Sequence, residues 1–226
     1  PLLDSRLKET VLTASDSLYR VEYGDMSLNL LKGSVSLKNF RLISDSSVYE
    51  RLKIQHKAPD NRYDISVSSI RIKQVNILKA LTSKQLDIRE ILVEEPQVML
   101  KNEYQFYNDT LETAKKDASA IGILGPLQSI AVGNVRLNDA HITFKKHQDT
   151  TAISHVFNHV NLHVKDILID TAAANDPERF YFTRSIDLAM GPYKLELPES
   201  LYDVGFDSLH IRTAEHKLEI RGLHYA

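Results

Sequence analysis

The chain contains no cysteine. That excludes disulfides, thiol nucleophiles and cysteine metal sites, and it permits an oxidising compartment without demanding one. An excess of charge of one sign is also missing. Lys and Arg number 28 against 30 Asp and Glu, a formal net charge of -2, so no basic field points to nucleic acid. No run of about 18 apolar residues occurs, so nothing reads as a bilayer-spanning helix. The P-loop, GxSxG, HExxH and GxGxxG patterns are all lacking, which argues against an enzyme and implies no cofactor.

What is present is ordinary in bulk and unusual in pattern. With 226 residues, 42% hydrophobic and 26% charged, the chain is long enough for a real core. It begins at Pro1, and its strand pattern runs on to LEIRGLHYA. We therefore expect a piece of a longer protein, with room for a targeting or anchor segment ahead of it.

Residues 35–42 read VSLKNFRL. Val35 and Leu37 alternate with polar residues, the beat slips by one, and alternation resumes at Phe40 and Leu42. The same octet recurs as ISVSSIRI (65–72), LDIREILV (86–93), IAVGNVRL (130–137), LHVKDILI (162–169), VGFDSLHI (204–211) and LEIRGLHY (218–225). Chance matching of this template predicts about one copy. A period of two broken by one extra residue is the signature of a β-bulge, which bends a strand while keeping one face on the core. A two-residue hairpin is the rival reading, and it fits less well because only some of the middle pairs carry Gly or Asn.

A longer repeat overlies the octets. QLDIREILVEEPQVMLK (85–101) aligns without gaps on SIAVGNVRLNDAHITFK (129–145). EEPQ and NDAH read as turns, giving a unit of bulged strand, turn and returning strand. An array of such units predicts a mainly β fold: a long, strongly curved antiparallel sheet whose β-bulges shape it into a groove or partial barrel.

Helices are expected at two places. Leu3, Leu7, Val11, Ala14 and Leu18 share one face of an amphipathic helix over 2–18, capping the sheet or lying near a membrane. Residues 109–121 carry a cap-like Asp109 and helical spacing closed by Gly122. One or two helical turns are also expected in ILKALTSKQ. Residues 44–62 are polar and turn-rich and read as a loop or a frayed edge strand. The stretch 103–126 is a possible internal boundary, but octets on both sides of it predict a single domain over 1–226.

No catalytic or metal site is expected. His155, His159 and His163 fall in an alternating, β-branched segment, where residues four apart sit about 13 Å from each other, too far to share a metal. Glu94 and Glu95 read as a solvated turn rather than an acid–base pair. NDT at 108–110 fits the glycosylation pattern, a common triplet.

VEYGDMSLNLLKGSVSLKNFRLIS (21–44) resembles the N-terminal segment of AsmA-like proteins, the relatives of TamB, in which a strand, a Gly-containing turn and an L-x-N-hydrophobic-x-L run follow a helix. ILKALTSKQLDIREILVEEPQVML (77–100) resembles the next family element, and GSVSLKNFRL is similar to the start of chorein-motif lipid-transfer proteins. The likeness covers 1–101 and is only generic from 128 onward. It implies a non-enzymatic periplasmic module, anchored in the inner membrane of a Gram-negative bacterium through an N-terminal segment. Its apolar groove would shelter phospholipid or other acyl chains for lipid transport or outer-membrane biogenesis. Val35, Leu37, Ile65, Val67, Leu86 and Ile88 are the expected groove lining. The alternative is a structural or protein-interaction scaffold of the cell envelope with a closed, dry core.

Overall fold

The computed structural model describes residues 2–109, 127–148, 151–170, 172–173, 176–180, 182–196 and 203–225. Strands make up 62% of it, so the class is mainly β. In chain order the strands are β1 (Tyr19–Glu22), β2 (Asp25–Asn29), β3 (Ser34–Ser44), β4 (Asn61–Val75), β5 (Gln85–Glu94), β6 (Gln97–Glu103), β7 (Ser129–Gln148), β8 (Thr151–Ile169), β9 (Ser185–Met190), β10 (Tyr193–Glu196), β11 (Asp203–Phe206), β12 (Ser208–Arg212), β13 (Lys217–Arg221) and β14 (His224–Tyr225). Eleven form one sheet, in the order β1-β3-β4-β5-β7-β8-β9-β12-β13, with β2 also on β3 and β6 between β4 and β7; β10, β11 and β14 form a second.

The large sheet is mixed rather than wholly antiparallel. EEPQ does not reverse the chain. β5 and β6 run in the same direction along one partner, β4, which pairs through Ser69–Glu94 on one side of the kink and Ser66–Gln97 on the other. Glu95 takes a left-handed φ of 50°, and its N–H still donates to Asn138 O at 2.9 Å. The Pro96 carbonyl accepts from His141 N–H at 2.8 Å. The ladder therefore passes the proline, which lacks only the donor it would have contributed. Both strands lie parallel to β7, each residue beside the one 44 positions on, from Gln85–Ser129 to Glu103–His147. That spacing is the offset at which the two sequence segments align: the repeat is a register.

The slips fall in rows. Each is a place where the ladder skips a pair, often at a left-handed residue. One row runs from Gly24 beside Asn39 (φ 52°), past Ser68 and Glu95, to Asp139 (φ 51°) and His159 (φ 52°). The second joins Gln74 (φ 54°), Arg89, Gly133 and Asp166 (φ 53°). In VGFDSLHI and LEIRGLHY the middle residues are where the chain passes between the two sheets, from β11 to β12 and from β13 to β14.

Three helices are described. α1 (Leu2–Ala14) stops short of the predicted residue 18. Ser17 N–H reaches back to Leu12 O at 2.7 Å, Ser15 Oγ donates to Val11 O at 2.7 Å, and Asp16 and Ser17 are left-handed, which closes the helix. Leu18 is thus off the predicted stripe. It is buried with Tyr49, Leu52 and Ala58. The side chains of Leu3 and Leu7 lie outside the described residues, Val11 is half-buried and Ala14 is exposed.

α2 (Ser46–Ile54) replaces the loop expected over 44–62. Its N-cap is Asp45, whose carboxylate accepts from Ser47 N–H at 2.8 Å and Val48 N–H at 3.0 Å. Tyr49 and Leu52, three apart, give it a buried stripe. α3 (Ile77–Ser83) forms where short helical turns are expected. The helix expected over 109–121, and most of the possible boundary at 103–126, lie outside the described residues.

Candidate functional site

Directly opposed residues in a ladder share a face and touch. In this sheet the apolar octet positions oppose one another strand after strand. Met26, Leu37, Ile70, Val93, Leu137, Leu162, Leu188, Ile211 and Leu218 form one such rung across nine strands. A second runs through Leu28, Val35, Ile72, Ile91, Val135, Val164 and Ile186. Leu86 stands beside Ile130 and Ile88 beside Val132, and these meet Ile169 and Ile167 on β8.

Burial separates these rungs from an ordinary core. Of the nine residues in the first rung only Leu37, 9% exposed, is buried, and Leu218 at the edge is 61% exposed. Four of the six predicted lining residues (Val35, Ile65, Leu86 and Ile88) are half-buried, while Leu37 and Val67 are buried. Residues covered by a second layer would be closed off far more uniformly. The best-closed cluster is elsewhere, at the corner where α2 meets Leu18.

The six residues do not gather in one cavity. Val35 borders a cleft of about 870 Å³ with Leu28, Leu31 and Ile72. Ile65 borders one of about 510 Å³ with Leu42 and Val98. Val67 edges a smaller one of about 250 Å³. Leu37, Leu86 and Ile88 border none of these.

Several rung positions escaped the sequence reading although the signal was there. VEYGDMSL (21–28), ILVEEPQV (91–98), VRLNDAHI (135–142) and LAMGPYKL (188–195) carry the octet spacing with Met, Pro or Ala in apolar places. Met26, Ala140 and Met190 hold places in the same ladder, and Tyr193 pairs with Phe206 in the second sheet. Around Tyr193 the apolar side turns aromatic. Its ring stacks on Phe157 at 4.9 Å between centroids and lies 5.6 Å from Phe206, and its hydroxyl meets His155 Nδ1 at 2.8 Å. Burial raises the Tyr193 pKa above the usual phenol value.

The alternate positions carry charge. Lys73 and Arg136 flank Glu90 at 2.7 and 3.4 Å, and chiefly the Lys73 hydrogen bond lowers the Glu90 pKa. Arg71 holds Glu94 at 2.8 Å; Glu94 is thus a strand residue with a cross-strand partner. The histidines have three separate partners: His155 has Tyr193, His159 has Asp139 Oδ1 at 2.7 Å, and His163 has Asn134 Oδ1 at 2.9 Å. Among the described residues no group of three His, Asp or Glu is placed to hold a metal ion. No helix among them is long and apolar enough to cross a membrane. Asn108 of the NDT triplet donates its side-chain amide to Ala58 O at 3.0 Å and Asp60 Oδ1 at 2.6 Å. No family model and no curated protein matches the chain.

Proposed function

We propose that this chain is a non-enzymatic lipid-sheltering module of the AsmA-like kind. The rows of skipped ladder pairs, several at left-handed residues, act as bulged seams, keeping both halves of the octets on β3, β4, β5, β7 and β8 on one face and curving the sheet into a trough. Acyl chains lie along the apolar rungs at about 0.8 kcal/mol per buried CH₂, and polar headgroups stay in water. The setting proposed is the periplasm of a Gram-negative bacterium, with an inner-membrane anchor ahead of Pro1 and a role in lipid transport or outer-membrane biogenesis.

The observation that carries this reading is the incomplete closure of the rungs: nine strands of matched apolar residues, nearly all half-buried. A closed, dry scaffold needs a layer over them. Among the described residues α1 packs by β1 at the sheet's edge, α2 is committed to Leu18 and Ala58 at one corner, and α3 sits at the end of β4.

The test is solvent extraction of the purified protein, with mass spectrometry of what is released. The comparison is a variant carrying Leu86→Glu and Ile88→Glu, its fold checked by circular dichroism. Phospholipid or fatty acid released from the parent and lost from the folded variant is the expected result. Equal release from both, or none from either, would count against the trough.

A further inference from the structure

Four strongly exposed leucines lie in two connections at one end of the large sheet, the end opposite α2, where Ile54 is 83% exposed. In the turn between β2 and β3, Leu30 is 66% and Leu31 100% exposed. On α3, in the connection from β4 to β5, Leu78 is 72% and Leu81 78% exposed. These are two neighbouring connections. Val75 N–H donates to Gly33 O at 2.8 Å, and Gly33, at φ +56°, packs directly against the Val75 backbone. That contact brings the turn beside the start of α3. Leu78 and Leu81, three apart, share a side of the helix.

None of the four leucines supports the fold, since each is mostly in water. The cations among them are also unspent. Lys32 and Lys84 are exposed and make no ion pair among the described residues. Lys79 pairs with Asp87 at 2.7 Å, which leaves Lys32 and Lys84 as the unmatched charges of the two connections. Protruding leucines set among unpaired lysines match the interface of an anionic bilayer, where aliphatic side chains enter the acyl boundary and ammonium groups meet headgroup phosphates.

We infer that the β2–β3 turn and α3 form a membrane-contact tip, inserting Leu30, Leu31, Leu78 and Leu81 into the surface of an anionic lipid bilayer. The tip stands at the end of the strands that carry the proposed trough and meets it at Leu31, which borders the cleft beside Val35, whereas Leu30, Leu78 and Leu81 do not line that cleft.

Flotation of the full chain with vesicles tests it. One set is phosphatidylcholine alone and the other contains about 30% phosphatidylglycerol, a level at which surface attraction of lysines is strong. The parent should float with the anionic vesicles and much less with the neutral ones. Leu30→Glu, and separately Leu78→Glu with Leu81→Glu, should cut the bound fraction by about tenfold. Lys32→Glu with Lys84→Glu should remove the preference for anionic lipid. All these side chains are exposed, so the variants keep the parent's thermal melt, and lipid extracted from the same preparations reports on the trough independently. A parent that does not float, or leucine variants that float as well as the parent, would overturn the tip whatever the extraction shows.

Discussion

At the residue scale, single positions decide whether the seams form. Gly133 sits where a Cβ would lie 2.9 Å from the Arg89 carbonyl oxygen, whereas a Cβ on Gly191 meets His159 at an ordinary 3.4 Å. We expect Gly133→Ala to cost about 1–3 kcal/mol through overpacking against backbone, and Gly191→Ala to stay within about 0.5 kcal/mol. Urea melts of the two variants make the comparison. Asp64 is a second such position. Burial pushes its pKa up, but the hydrogen bonds from Lys101 Nζ at 2.7 Å, Ser44 N–H at 2.7 Å and Ser44 Oγ at 2.8 Å outweigh it, and the net shift is downward. A carboxyl lowered by folding adds stability above its unfolded pKa of about 3.9 and loses it as pH falls through the folded value. Asp64→Asn should therefore cost about 1–2 kcal/mol at pH 7 and progressively less below pH 4. Chemical denaturation across that range reads the difference directly.

At the scale of the element, the octet was legible because it is a spacing, and spacing survives without tertiary information. The same rule explains its misses. VEYGDMSL and LAMGPYKL were passed over because Met was not counted as apolar, although Met26 and Met190 hold places in the ladder. EEPQ reads as a turn because Pro favours turns and is rare inside sheets, and its neighbours are polar. Only the β4 and β7 ladders on either side keep that segment extended. α2 was missed because 44–62 is polar by composition. Its signal was narrow: Asp45 as a cap followed by Val48, Tyr49 and Leu52.

The same reasoning gives a prediction at Asn39, left-handed in the middle of β3. Asn39→Gly should be close to neutral, since glycine adopts that φ freely. Asn39→Val should cost about 1–3 kcal/mol, because a β-branched side chain does not. Thermal melts of the pair separate a seam that needs its left-handed residue from one that merely tolerates it.

At the scale of the whole molecule, the gapless alignment of 85–101 on 129–145 is a register as well as a repeat. It predicted an array and supplied the parallel register of β5 and β6 on β7, but it gave no strand direction, so the sheet was expected to be wholly antiparallel. The six residues expected as lining each oppose an apolar partner in the ladder but do not gather at one cleft. They spread over three strands, and periodicity alone does not say which rungs border a cleft. Openness was illegible for a physical reason. Apolar alternation is the same whether a face meets a helix, a second sheet or a lipid.

The central claim is that the apolar rungs hold acyl chains. The most direct test places a benzophenone amino acid at Ile91, on a rung, and at Arg136, among the charged alternate positions, irradiates cells expressing each variant, and analyses the purified protein for covalent adducts by intact-mass spectrometry. We predict lipid-mass adducts at Ile91 and none at Arg136. The absence of lipid adducts at Ile91, or equal labelling at the two positions, would contradict the claim.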